Sequence, residues 1–113
     1  MSADIDALRE LSRQIDALYI SGKETEGEVL LRQAIDRAKD IEPAYRLFLE
    51  GELAGYTEKN HERQRHLFEQ AIELLPEDSF LVRNMGVALS FLGRMDEAIS
   101  STRTTWASSG RYG

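Results

Sequence analysis

Apolar residues recur every three or four positions along almost the whole chain. Leu8, Leu11, Ile15 and Leu18 begin the pattern, and Leu31, Ala34, Ile35 and Ala38 repeat it. Phe68, Ala71, Ile72 and Leu75 follow, then Leu81, Met85, Ala88 and Leu92, and last Met95, Ala98, Ile99, Thr102 and Trp106. This spacing lines one face of a 3.6-residue helix. No stretch alternates apolar and polar residues with β-branched enrichment, so no strand is expected and the fold class is all-α. The breakers fall between the stripes. Gly22 suits the left-handed residue that ends a helix. Pro43 suits a first helical turn and disfavours helix in the residue before it. Residues 57–60 are polar and read as a turn, and Asp78 after Pro76 can cap the next helix. Gly93 is the last break. Six helices are expected, at about 4–20, 24–40, 43–56, 61–75, 79–92 and 95–107, with a frayed tail at 108–113.

Six short helices on tight turns make either a bundle or a stack of hairpins, and composition narrows what either could do. At 113 residues the chain is one domain, and 42% hydrophobic content supplies a packed core. Fourteen Lys and Arg against twenty Asp and Glu leave a net charge of -6. That balance argues against nucleic-acid binding, which needs a cationic surface to neutralise phosphates. Without Cys there are no disulfides, thiol nucleophiles or Cys-ligated zinc. The N-terminus is acidic, and no apolar run approaches the roughly 20 residues of a membrane span. A cytoplasmic protein that does not enter membranes is expected.

Self-comparison favours stacked hairpins. Gly22 and Gly93 each sit between two helices, and each is followed by a basic residue and then acidic ones. The end of the middle pair, Phe68, Ala71, Ile72 and Pro76, is similar to Leu31, Ala34 and Ile35 at the end of the first. A single pair of this kind cannot bury its apolar face alone. The stretch from Asn84 to Ile99 resembles a tetratricopeptide repeat, a 34-residue unit of two antiparallel helices. A unit starting at Ser79 puts Gly86, Leu89, Gly93 and Ala98 in the pattern's small, large, glycine and alanine places. A unit starting at Tyr45 puts Phe68, Ala71 and Pro76 in register, and one starting at Leu8 does so for Leu11, Leu18, Gly22, Gly27 and Ala34. The repeats then span about 8–41, 45–78 and 79–107 within one domain over 1–107. In the middle unit Glu52 and Gln64 stand where small residues belong, and Gly51 lies one place early, which shifts that helix by one.

The resemblance implies three antiparallel helix hairpins stacked as a short right-handed superhelix, whose first helices line a concave groove. The groove places hold Arg9, Ser12, Arg13, Asp16 and Tyr19 in the first unit, Arg46, Leu49, Glu50, Leu53 and Tyr56 in the second, and Arg83, Asn84 and Ser90 in the third. Arg9, Arg13, Tyr19, Arg46, Tyr56, Arg83 and Asn84 are thereby the candidate partner-binding residues. Arg pairs bidentately with carboxylates, so the implied partner is a protein or peptide with acidic character. Some family members clamp a C-terminal carboxylate with Lys and Asn in the first unit; Ser12 and Asp16 stand in those places here, so that specificity does not carry over.

Catalytic and metal chemistry find little support. His61 and His66 are five apart, about 140° of helical rotation, and do not share a face as a metal pair would. Glu24, Glu26, Glu28, Glu50 and Glu52 read as solvated faces rather than a converging acid pair. No nucleophile elbow or phosphate-binding glycine loop is present. The expectation is a non-enzymatic interaction scaffold without cofactor or metal. A small helical enzyme with a site between hairpins is the alternative from another class. A third reading is a self-associating module, a homodimer through Phe91, Met95 and Trp106, because no seventh helix follows to cover the last one.

Overall fold

A computed structural model describes residues 2–90, and every regular element among them is helical. Helix α1 is Ser2–Ile20, α2 is Glu24–Ala38, α3 is Pro43–Tyr56 and α4 is His61–Leu74. A fifth, α5, is helical from 79 to the last described position, 90. The sequence placed α3 to the residue and missed the start of α1 and the end of α2 by two residues and the end of α4 by one. The sixth helix, the second half of the third repeat and the proposed dimer residues Phe91, Met95 and Trp106 lie outside the described residues.

Local chemistry sets each boundary. After α1 the chain turns at Gly22, whose φ of 82° is a conformation side chains resist. There the Lys23 amide donates to the Leu18 carbonyl at 2.8 Å and the Gly22 amide to that of Tyr19 at 3.2 Å. These two bonds satisfy carbonyls that the helix end would otherwise orphan. Pro43 opens α3 while the Glu42 carboxylate accepts the Ala44 amide at 3.4 Å. Asn60 caps α4 by accepting the Arg63 amide at 3.1 Å, and Asp78 caps α5 by accepting the Leu81 amide at 3.0 Å.

Packing follows the apolar stripes. α1 packs on α2 and α3 on α4, each across a short turn, so consecutive helices pair as hairpins. α2 also packs on α3, and α1 touches α3, which joins the two hairpins. One core runs through all five helices: Leu8 and Ile15 of α1, Leu31, Ala34 and Ala38 of α2, Tyr45, Phe48 and Leu49 of α3, Phe68 and Ala71 of α4, Leu81 and Met85 of α5. A close approach lies inside the second hairpin. A Cβ placed on Gly51 would lie 2.5 Å from two ring carbons of Phe68, so the absent side chain at 51 is the slot the ring occupies. The small place that the sequence register assigned to Glu52 is taken by Gly51, one residue earlier. Gly86, which the repeat register assigns to a small place, meets nothing within 4 Å among the described residues, and Ala98 lies outside them.

Candidate functional site

Helices α1, α3 and α5 are linked by two polar clusters. The first is built on Arg9. Its Nε donates to the Tyr45 hydroxyl at 2.9 Å, its Nη2 to Asp78 Oδ2 at 3.3 Å and its Nη1 to Asp6 Oδ1 at 3.3 Å. The Tyr45 hydroxyl in turn donates to the same Asp78 oxygen at 2.8 Å. One arginine therefore ties α1 to the middle of the core and to the cap of α5. The Phe80 ring lies against it, 5.7 Å from the Arg9 guanidinium carbon, with Arg13 at the same distance. Burial and the hydrogen bond to Asp78 push the Tyr45 hydroxyl up to about 12. Burial also pushes the Asp78 carboxyl up, but the Leu81 amide, the Tyr45 hydroxyl and Arg9 outweigh it and hold it below its ordinary value.

The second cluster joins α1 to α3 two turns further along. The rings of Tyr19 and Tyr56 stack with centroids 4.1 Å apart and planes within 8°. The Tyr56 hydroxyl donates to Asp16 Oδ1 at 2.8 Å, and the Tyr19 hydroxyl bonds Thr57 Oγ1 at 2.9 Å. Gly27 of α2 backs the Tyr19 ring; a Cβ there would lie 2.8 Å from it. Burial, then the neighbouring Asp16 charge, pushes Glu52 well above its ordinary value, and burial raises Asp16 as well. Tyr56 is pushed up by burial and by both carboxyls. The sequence reading of Glu52 as a solvated residue is corrected here. It lies half-buried in mid-helix, and nothing in its local spacing announces the charge of Asp16, 36 residues away, that acts on it.

The expected partner-binding residues are therefore used unequally. Arg9, Tyr19 and Tyr56 hold helices together. Asn84 turns its amide back to the Phe80 carbonyl at 2.7 Å. Ser12 and Leu49, assigned to the groove by the repeat pattern, are buried at 3% and 1% exposure. Arg13 is exposed and paired with Glu10 at 3.2 Å. Arg46 is half-buried and Arg83 exposed, and neither guanidinium meets a hydrogen-bonding or ion-pairing side chain among the described residues.

Elsewhere, a cavity of about 410 Å³ lies between the start of α1 and the α2–α3 turn, walled by Asp4, Asp6, Arg9, Asp40 and Glu42. A shallow apolar depression on the first hairpin is lined by Leu18, Val29 and Leu30. His61 is exposed, its Nδ1 3.3 Å from Gln64 Oε1, and His66 is exposed too. Among the described residues no group of three or more His, Cys, Asp or Glu could hold a metal ion. No helix among them is long and apolar enough to cross a membrane. No protein-family model, curated protein or solved structure matches the chain.

Proposed function

We propose that this protein is a non-enzymatic interaction scaffold, a short tetratricopeptide-like array that holds an acidic peptide or protein segment against its first helices. The observation that carries the reading is the linkage of α1, α3 and α5 through Arg9, Tyr45 and Asp78, with the guanidiniums of Arg46 and Arg83 left unspent among the described residues. Arg9 is consumed by internal partners. The half-buried Arg46 and the exposed Arg83, on α3 and α5 of an acidic chain, are not so used among the described residues and suit carboxylates of a partner. In the repeat register Arg13 joins them on the concave side, and stacking of the third hairpin on the second completes a right-handed superhelix. The tied residues set the spacing of the helices, while Arg13, Arg46 and Arg83 supply the contacts. The setting implied is cytoplasmic.

Selection from a random peptide display library on the immobilised 113-residue chain tests this. Peptides rich in Asp and Glu are expected to be enriched. Replacing Arg46 and Arg83 together by Glu should weaken the best of them roughly tenfold at low salt and reduce their salt dependence, since such contacts are screened over about 10 Å at 0.1 M. Enrichment of uncharged peptides, or affinity unchanged in the folded double variant, would contradict the proposal.

A further inference from the structure

Arginines gather around one aromatic ring at the seam between α1 and α5. The guanidinium carbons of Arg9 and Arg13 each lie 5.7 Å from the centre of the Phe80 ring. These two arginines stand one helical turn apart on α1. Arg83 stands one turn beyond Phe80 on α5, where helix geometry makes the two side chains neighbours. The ring itself is fixed by the core: it stacks on Tyr45 with centroids 6.2 Å apart and meets Phe48 edge-on at 6.0 Å. Phe80 is half-buried, whereas Arg13 and Arg83 are exposed.

The charges at this seam are spent unequally. Arg9 is held by Asp6, Asp78 and the Tyr45 hydroxyl. Asp78 in turn is taken up by the Leu81 amide, Tyr45 and Arg9. Arg13 has one carboxylate partner, Glu10 at 3.2 Å, and both of those side chains are more than half exposed. An exposed pair of that kind contributes little, so a stronger anion can displace Glu10. Arg83 meets no hydrogen-bonding or ion-pairing side chain among the described residues, and the described part of α5 carries no other ionisable group. Two guanidiniums are therefore available beside a fixed ring that keeps water from one side of them.

A single carboxylate is satisfied by one guanidinium fork. A phosphate monoester carries nearly two charges and three acceptor oxygens, enough for two forks. We propose that Arg13 and Arg83 together hold a phosphorylated side chain of a bound peptide, with the Phe80 ring as the apolar floor beside it. The proposal rests on the reading of α1, α3 and α5 as a peptide-binding face, and narrows the acidic partner of that reading to a phosphopeptide. Arg9 keeps its internal partners and fixes the ring. The chain's net charge of -6 repels a polyanion such as nucleic acid, so the site takes one phosphate rather than a row of them.

Three random peptide pools, alike except for phosphoserine, glutamate or serine at the centre, test this on the immobilised full chain. The phosphoserine pool is expected to bind about tenfold more tightly than the glutamate pool, the effect of one added charge-assisted hydrogen bond. Arg13→Gln and Arg83→Gln, both at exposed positions, should each remove most of that ratio. Arg46→Gln should weaken both anionic pools alike and leave the ratio unchanged. Equal binding of the phosphoserine and glutamate pools would overturn the phosphate site and leave the acidic-peptide reading standing. A ratio untouched in the folded Arg13→Gln and Arg83→Gln variants would overturn it too. So would inorganic phosphate that competes at the same concentration as the phosphoserine peptides, because the site would then take a free anion. Binding of none of the pools would overturn both the site and the reading beneath it.

Discussion

Replacing Phe68 by Ala is expected to destabilise the chain by about 3–5 kcal/mol, toward the upper end for a buried aromatic truncation. The ring is 1% exposed, lies 5.7 Å from the Phe48 ring and fills the slot over Gly51. The residue opposite has no side chain to move into the void, so the cavity stays open. The same geometry gives Gly51→Ala opposite signs in two backgrounds. In the parent it forces a methyl into the Phe68 ring and costs about 1–2 kcal/mol, the overpacking exceeding the gain in helix propensity. Beside Phe68→Ala the methyl enters empty space and should recover about 1 kcal/mol. Urea unfolding of the four proteins measures this cycle. Additive losses would place Phe68 elsewhere.

Asp78→Ala should cost about 2–4 kcal/mol, more than the roughly 1 kcal/mol of an ordinary cap. Asp78 accepts from the Leu81 amide, the Tyr45 hydroxyl and Arg9, and its side chain is 11% exposed. Its removal uncaps α5, leaves the Tyr45 hydroxyl without its acceptor and takes one partner from the part-exposed Arg9 guanidinium. Because its carboxyl is lowered on folding, the contribution is present above the ordinary aspartate range and lost as pH falls through the folded-state value. Acid titration of stability should therefore be shallower in Asp78→Ala than in the parent. An equally steep acid limb in the folded variant would show that Asp78 is not the group responsible. Replacement by Asn separates the roles: the cap survives, whereas the charge that holds Arg9 does not.

The helices were legible because their evidence is local. The apolar period, Gly22, Pro43 and the capping Asp78 each act within a few residues of themselves, and each does in the structure what its chemistry dictates. The site was less legible because its partners are far apart in sequence. Arg9 meets Tyr45 and Asp78 across 36 and 69 residues, and Tyr56 meets Asp16 across 40. A pattern of positions named Arg9, Tyr19 and Tyr56 but could not tell an arginine spent on the core from one left for a partner. Glu52 was missed for the same reason: a carboxyl in a charged stretch looks solvated until the helix it faces is known. Gly51 was a readable clue, since a mid-helix glycine one place out of register marks a close approach.

Titrating an isotopically labelled sample of the chain with a short poly-glutamate peptide, and following each backbone amide by NMR, tests the binding face most directly. Shifts centred on Arg46 and Arg83, extending along α1, α3 and α5 past Arg13 and sparing the outer faces of α2 and α4, are the expected result. Shifts centred on α2 and α4, or none at millimolar peptide and low salt, would contradict a scaffold that binds along its first helices.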